Sequence, residues 1–287
     1  MEEVKSVADF INIILKRPTR LRMLTTYRGH GSPDFRLQPS IFRKQSTREN
    51  EHILLRELIA AHPDDFSGDT STLEALVRMQ HYSLPTRLLD VTMNPLVALY
   101  FACESVKKRT RILKDGVAST KTVESDGQVV ILTVYKRSIR YFDSDTVSCL
   151  TNLARLSYNL KEGLDTSLPI EEFNESKSVK RLLHFINQEK HGFLPEIEPS
   201  DLDSVILVKP KQSNKRILAQ AGAFFTFGLG EEIDDDNNHD VKIERITIAS
   251  DLKADILSQL DKLGINEKTM FPEIDRAARY ITSSLAG

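Results

Sequence analysis

Several polar side chains stand at positions where an apolar residue would suit a buried core. Arg28 closes a short threonine-rich strand and is followed by Gly29, while His81, Thr92 and Asn94 belong to a second segment. A guanidinium presents a planar fork of donors that fits a phosphate, and a glycine lets another group approach the backbone closely. These residue types predict a site for a phosphate-bearing ligand.

Each of these candidates also has a structural interpretation. His81 could act as an acid or base near neutral pH, or it could be a structural hydrogen-bonding residue. Thr92 and Asn94 offer hydroxyl and amide contacts, and Asn94 could instead cap the helix that follows it. The amide of Gln220, ahead of an aromatic strand, could bridge a ligand or hold a turn together. We keep His81 and Gln220 as candidate catalytic residues.

The charged residues near these positions have alternatives of the same kind. Buried arginines are usually paired, so Arg28 could form an ion pair with Asp90 or Asp34. Arg87 and Asp90 are separated by two leucines, and a salt bridge between them would organise the loop around them. Both therefore rank below Arg28 as ligand contacts.

Signatures of other catalytic sites are missing from the sequence. It contains no GxxxxGK loop, no GxSxG, no HExxH and no pair of cysteines at zinc-binding spacing. His184 and His191 are about two helical turns apart, which is too far for the usual i, i+4 metal pair. We therefore expect no metal site.

Composition and charge bound the class of protein. The 287 residues, 40% of them apolar, suit one elaborated domain, and 39 basic against 41 acidic side chains demand neither a nucleic-acid nor a membrane partner. No apolar run approaches the roughly 20 residues that span a bilayer, and the N-terminus is unlike a secretory signal. Cys103 and Cys149 lie far apart in apolar contexts. We expect a cytoplasmic protein that does not associate with membranes.

Helical and strand-like segments alternate along the chain. We predict an N-terminal helix within residues 1–23, then one α+β domain over residues 24–287 whose small, split or twisted, mostly antiparallel sheet is flanked by helices. Residues 107–126 are charged and lack periodicity, which indicates an exposed, flexible loop. Gln80 to Asn94 is expected to lie between two helices, the second capped by Asn94 and begun by Pro95.

Two strings resemble the signatures of the FRG-domain family of bacteria and phages. YRG at residues 27–29, with GSPDFRLQPSIFR from Gly31, is similar to the motif that names the family, with tyrosine in place of phenylalanine. MQHYSLPTRLLDVTMNPLVALYFA, from Met79 to Ala102, is similar to the second signature. RILAQAGAFFTF, from Arg216 to Phe227, extends the resemblance towards the C-terminus.

The order of these motifs resembles, more distantly, the ADP-ribosyltransferases. In many of those enzymes an arginine on the first core strand grips the phosphates of NAD, and a Ser-Thr-Ser strand precedes an apolar helix. Here Asp90 to Thr92 would stand for that triplet. The resemblance implies an ADP-ribosyltransferase-like fold, NAD as co-substrate, and Arg28, Gly29, Thr92 and Asn94 as its binding residues.

The later part of the sequence departs from that pattern. The transferases usually carry a glutamate on a later strand, whereas Gln220 occupies the best-matching region here. Glu231 and Glu232 follow it but open an acidic loop, which is typical of a solvated surface. If Gln220 replaces the glutamate, the chemistry is altered or lost.

Two functions remain open on these grounds. The first is an ADP-ribosyltransferase-like toxin or phage-defence effector that uses NAD to modify a protein or nucleic acid and is held in check by a neutralising partner protein. The second is a non-catalytic nucleotide- or nucleic-acid-binding sensor, with basic stretches at residues 16–22, 107–111 and 209–216 as phosphate contacts. An inactive relative that keeps the pocket is a third, plainer interpretation.

Overall fold

A computed structural model describes residues 4–18, 20–114, 117–212, 214–234 and 240–286. It has the predicted mixed α+β fold, with a mostly antiparallel open sheet flanked by helices. The strands are β1 (Met23–His30), β2 (Leu88–Thr92), β3 (Lys107–Lys114), β4 (Val117–Glu124), β5 (Gly127–Tyr135), β6 (Arg140–Tyr141), β7 (Val205–Lys209), β8 (Gly222–Phe227) and β9 (Val241–Ile248).

Helices lie in several of the connections between strands and at both ends of the described chain. They are α1 (Val7–Leu15), α2 (Gln45–Glu49), α3 (Glu51–Ala61), α4 (Pro63–Phe66), α5 (Thr72–His81), α6 (Pro95–Ala102), α7 (Asp145–Asn152), α8 (Tyr158–Glu162), α9 (Ile170–Glu175), α10 (Lys177–Glu189), α11 (Pro199–Leu202), α12 (Lys215–Ala219), α13 (Lys253–Lys262), α14 (Glu267–Met270) and α15 (Ile274–Ala286). Short 3-10 turns lie at Ser40–Arg43, Lys136–Ser138, Leu153–Arg155 and Ser250–Leu252.

Seven strands form the main sheet, in the order β6-β7-β8-β2-β1-β5-β9. Strand β1 pairs with β5 along its whole length, and β2 pairs with β8 over all five residues. The two halves are joined much more weakly, because β1 and β2 pair only at Tyr27 and Thr92. The sheet is therefore split at its centre, between the two strands that carry the first and second motifs.

Helix α6 packs tightly across the strands beside this split. A Cβ atom on Gly29 would lie 2.1 Å from the Ala98 carbonyl oxygen, and one on Gly127 would lie 2.0 Å from that of Ala102. No side chain fits at such distances, so both glycines are required for the contact between strand and helix. Asn94 fixes the start of the helix, since its side chain accepts a hydrogen bond from the Leu96 N–H at 3.0 Å.

Apolar side chains cover both faces of the sheet. On one face α1, α6 and α13 pack against β1, β5 and β9, and Phe10, Leu99 and Ile256 are fully buried there. The predicted N-terminal helix is thus part of the main core, and the Val7 N–H donates to Gln259 Oε1 at 2.9 Å. The opposite face buries a second cluster around Phe225.

Two segments differ from the sequence-based expectation. Residues 107–126, predicted as an irregular loop, form the β3–β4 hairpin, which pairs from Lys107 with Glu124 to Lys114 with Val117. The segment is rich in charged residues and also contains the β-branched residues that strands favour. Gln80 to Asn94, expected to lie between two helices, contains strand β2, of which the resemblance to the transferases had indicated Asp90 to Thr92. In the part of the chain that is described, no helix is long and apolar enough to cross a membrane.

Candidate functional site

A cleft opens where β1 and β2 diverge. It encloses about 270 Å³ and lies near the lower limit of the roughly 300–1,000 Å³ that is usual for small-molecule pockets. The cleft brings together five of the predicted site residues, which are Arg28, Gly29, His81, Thr92 and Gln220. Its other polar lining side chains are His30, Arg43, Gln80, Asp90, Glu104 and Arg216.

Arg28 bridges the split in the sheet. Its Nη1 donates to the Asp90 carbonyl oxygen at 2.6 Å, and its Nε donates to His30 Nε2 at 3.0 Å. Among the described residues no carboxylate lies within 4.0 Å of the guanidinium, so the ion pair with Asp90 or Asp34 is not formed, and Asp34 instead lies 3.8 Å from Lys108. Burial lowers the pKa of Arg28, and the charge of Asp90 offsets this only in part. Arg28 thus brings a positive charge without a paired anion to the cleft.

The Asp90 carboxylate faces the open space of the cleft from the middle of β2. Gln80 holds it in place, since Gln80 Nε2 donates to Asp90 Oδ2 at 2.5 Å while Gln80 Oε1 accepts from Thr86 Oγ1 at 3.2 Å. Burial raises the pKa of Asp90, and the charges of Arg28 and Arg216 counter the rise only partly. An aspartate with a raised pKa is a better proton acceptor than one with an ordinary pKa.

His30 is a member of the site that the sequence analysis did not select. It lies two residues after Arg28, on the same face of β1, and it is 2% exposed. Burial, followed by the charges of Arg28, Arg245 and Arg43, lowers its pKa to about 3, so the ring is neutral at physiological pH. Its Nε2 accepts from Arg28, which leaves the proton on Nδ1, a buried atom for which the described residues provide no hydrogen-bond partner. His30 therefore orients Arg28 without adding charge.

His81 closes α5 at the other side of the cleft. Asn214 Oδ1 accepts from the Arg216 N–H as the cap of α12, so the Asn214 amide nitrogen is the atom that donates to His81 Nδ1 at 2.9 Å. Burial, with the charges of Arg216 and Arg78, lowers the pKa of His81 to about 4. The neutral ring then carries its proton on Nε2 and can donate it to a ligand.

Gln220 and Thr92 connect the cleft to neighbouring segments. Gln220 Nε2 donates to the Met270 carbonyl oxygen at 2.9 Å, and Thr92 Oγ1 donates to the Gln220 carbonyl oxygen at 2.6 Å. The Thr92 hydroxyl also accepts from the Asn94 N–H at 3.0 Å. Both side chains line the cleft, but their hydrogen bonds hold the adjoining turn, where Ala221 has a φ of 46°.

Asn94 and Gly29 have structural roles in this fold, and the ligand contacts predicted for them stay predictions. The Asn94 side chain caps α6 and is not among the residues that line the cleft. Gly29 does allow a close approach to its backbone, as predicted, but the approaching group is α6.

Two further arginines add positive charge to the cleft. Arg216 Nη1 donates to the His81 carbonyl oxygen at 3.4 Å, and its guanidinium lies 4.7 Å from the centre of the Phe271 ring. Arg43 is anchored by the Gln38 carbonyl oxygen, to which its Nη2 donates at 3.2 Å. Glu104 is a second acid at the rim, and burial raises the pKa of its carboxyl. The cleft thus combines three guanidinium groups with two carboxyl groups.

The predicted salt bridge between Arg87 and Asp90 is wrong. Arg87 points away from the cleft and is 1% exposed, with Nε and Nη2 donating to Glu51 at 2.8 and 2.5 Å. Its Nη1 donates to the carbonyl oxygens of Phe227 and Gly228. Side chains three positions apart in an extended chain point to opposite faces, so Arg87 and Asp90 do not meet. The actual partner, Glu51, lies 36 positions earlier, and no local pattern in the sequence indicates it.

No group of three or more histidine, cysteine or acidic residues able to hold a metal ion occurs in the described chain. His184 and His191, whose spacing is too wide for a metal-binding pair, lie outside the cleft.

Comparison with known proteins supports the first resemblance and leaves the second without support. No curated protein and no solved structure matches the chain. The segment that matches a family model covers β1, β2 and α6 and ends before Arg216 and Gln220, so it holds most of the residues that line the cleft. Residues 24–111 match the family model of the FRG domain.

Proposed function

We propose that the cleft binds NAD, cleaves its nicotinamide–ribose bond and transfers ADP-ribose to a protein or nucleic-acid acceptor. The observation that carries this proposal is the pair of opposite charges on either side of the split sheet. Arg28 and Asp90 both face the cleft, yet they do not neutralise each other by an ion pair. Charges without a partner in a cleft raise the free energy of the folded protein, and a ligand that binds to both would offset this.

The diphosphate of NAD suits the positive side of the cleft. Arg28 keeps Nη2 without a partner among the described residues, and Arg43 and Arg216 line the same space. Guanidinium groups bind phosphate oxygens through two parallel hydrogen bonds, which fixes orientation as well as affinity. The enclosed space of about 270 Å³ suits the reacting part of the dinucleotide, with the remainder extending along the cleft mouth.

Asp90 suits the reacting ribose. Loss of nicotinamide breaks the bond between ribose C1′ and the pyridinium nitrogen, and the electron pair of that bond stays with the leaving nitrogen. The ribose then carries positive charge, which an ionised Asp90 stabilises. The acceptor's nucleophilic atom bonds to C1′ and gives up its proton, for which Asp90 is the available base in the cleft.

Gln80 and His81 have supporting roles in this proposal. Gln80 positions the Asp90 carboxylate, and the Nε2 proton of His81 is available to a ligand oxygen at the opposite wall. The setting as a toxin or phage-defence effector with a neutralising partner rests on the family resemblance alone.

A nucleotide-binding sensor without catalysis is the second candidate, and one observation favours it. Gln220 occupies the region of the sequence that best matches the transferases' glutamate, and its amide N–H donates to the Met270 carbonyl oxygen. If that glutamate is indispensable, the cleft binds NAD and does not turn it over.

Incubation with NAD labelled in its adenylate half distinguishes these functions. Nicotinamide release and label transfer to lysate protein or RNA are both measured. We expect both with the parent chain, and a loss of about 100-fold or more for Arg28→Ala and for Asp90→Asn. Arg36→Ala is the matched control, because Arg36 is 73% exposed and lies outside the cleft.

Saturable NAD binding without nicotinamide release would favour the sensor. If the folded parent chain neither binds NAD nor releases nicotinamide, both candidates are overturned.

A further inference from the structure

A second depression, the basic groove, adjoins the cleft. It measures about 680 Å³, and it shares His81 and Arg216 with the cleft as common walls. The other residues of the groove come from the end of α5, the start of α12 and the segment leading into α15. They are Arg78, Tyr82, Ser83, Asn214, Lys215, Pro272, Glu273, Arg276 and Arg279.

Positive charge predominates along the groove. Five cationic side chains line it, namely Arg78, Lys215, Arg216, Arg276 and Arg279, against the single lining carboxylate of Glu273. Asp69 pairs with Arg78 at 2.6 Å and Glu267 pairs with Arg276 at 3.1 Å, both from outside the groove. Glu273 lies 3.9 Å from Arg216, too far for a strong hydrogen bond. Lys215 is exposed at the first turn of α12. The positive charge that a ligand in the groove would meet is therefore chiefly that of Lys215 and of Arg216, whose nearest carboxylate is the distant Glu273.

Two of the guanidinium groups are held rigidly. Arg216 and Arg276 stack on the same Phe271 ring from centroid distances of 4.7 and 4.9 Å. Arg276 is also fixed by Glu267 at 3.1 Å. Guanidinium groups that are already ordered lose little conformational entropy when they bind phosphate.

An exposed aromatic ring stands beside these charges. Tyr82 is 62% exposed at the C-terminal end of α5, and the chain turns sharply after it because Ser83 has a φ of 63°. A ring with a free face next to a row of cations suits a nucleobase above a sugar-phosphate backbone. An acidic peptide would use the cations but would leave the ring without a stacking partner.

We infer that the basic groove binds single-stranded nucleic acid and leads one nucleotide past His81 into the cleft. The strand's phosphates would contact Lys215 and Arg216, and one base would stack on Tyr82. The inference names the acceptor class, and in that respect it rests on the proposed function. It predicts that the modified group is a base or sugar of an unpaired nucleotide, because the groove and the cleft meet only at His81 and Arg216.

Fluorescence anisotropy with 12-nucleotide single-stranded RNA and DNA of mixed sequence tests the groove without NAD present. We expect binding by the parent chain that weakens steeply with salt. Lys215→Glu should weaken it at least about 5-fold and lower the log–log salt slope by about 0.7 for each phosphate that the variant no longer neutralises. Tyr82→Ala should weaken it about 5- to 100-fold with the salt slope retained.

Lys177→Glu is the matched control. Lys177 is an exposed lysine at the first position of α10, as Lys215 is at the first position of α12, and it lies outside the groove. We expect parental affinity from it. Circular dichroism of all variants checks that they are folded.

No binding by the parent chain at low salt, or equal affinity of parent and Lys215→Glu, would overturn the inference. So would equal affinity for poly-glutamate of matched charge. These outcomes leave the proposed function standing, because nicotinamide release is measured separately. The groove variants could also weaken the binding of single-stranded nucleic acid while the parent chain releases no nicotinamide. That result would support the groove as a nucleic-acid site and overturn only its role as acceptor site.

Discussion

Two clusters of charged side chains lie on either side of strand β2, and the charges are ion-paired in one cluster but not in the other. Behind the strand, Arg87 and Lys161 both donate to Glu51, at distances of 2.5 and 2.6 Å. In front of it, Arg28 and Asp90 share one cleft without an ion pair. The first cluster is closed on itself, whereas the second leaves charge available to a ligand.

The pKa shifts express the same contrast. Burial alone would raise the pKa of Glu51, but Arg87 and Lys161 bring it down to about 2. Burial raises the pKa of Asp90, and its neighbours do not reverse the shift. Compensated charge indicates a structural role, and uncompensated charge indicates a functional one.

Breaking the closed cluster should have the largest effect on stability. Arg87→Met removes the main partner of a buried carboxylate, and we expect the free energy of unfolding to fall by about 3–5 kcal/mol. Urea denaturation measures this difference. Because the folded pKa of Glu51 is depressed, its contribution is present above the unfolded pKa and is lost as the pH falls towards 2. A loss below about 1 kcal/mol would remove the distinction between the clusters.

Neutralising the open cluster should separate activity from stability. A carboxyl group with a raised folded pKa favours folding at low pH, and this contribution is lost as the pH rises through the folded value. Asp90→Asn should therefore unfold at the same or a higher temperature than the parent at neutral pH. Nicotinamide release should fall by about 100-fold or more. A lower unfolding temperature would contradict the assignment of Asp90 as an uncompensated charge.

The histidine beside Arg28 should report on the open cluster through acid sensitivity. With a folded pKa of about 3, His30 stabilises the fold fully above its unfolded pKa, near 6.5, and this contribution is lost as the pH falls towards 3. His30→Gln keeps an acceptor for Arg28 and does not titrate. Between pH 7 and pH 5 the parent should lose about 2 kcal/mol more unfolding free energy than the variant. Parallel pH profiles in urea denaturation would show that His30 is not buried as described.

The smallest expected effect sharpens the boundary of the cleft. Asn94→Ala removes the cap of α6 and should cost about 1 kcal/mol of stability. NAD affinity should stay at the parental value, because the side chain does not line the cleft. Loss of NAD binding with unchanged stability would restore Asn94 as a ligand contact.

Local patterns in the sequence predicted the elements and part of the site. The helix start at Asn94 and Pro95 was predictable because its cause lies within a few residues. Arg28 and His81 were selected because polar residues in apolar surroundings need partners. His30 could have been found by the same reasoning, since it shares one face of a strand with Arg28.

The remaining features depend on contacts between distant parts of the chain. Glu51 meets Arg87 across 36 residues, and Arg216 reaches His81 across 135. The pairing of strand β2 could not be predicted, because its partner, β8, begins more than a hundred residues later. No pattern within one sequence encodes such pairings, and only the folded chain reveals them.

Calorimetric titration of NAD into parent, Arg28→Ala and Arg36→Ala proteins tests the central claim, that Arg28 is an unpaired cation awaiting a phosphate. The account predicts saturable binding by the parent and by Arg36→Ala. For Arg28→Ala it predicts affinity lower by about 10- to 100-fold, the effect of losing a charged hydrogen bond. Equal affinity of Arg28→Ala and the parent would contradict it.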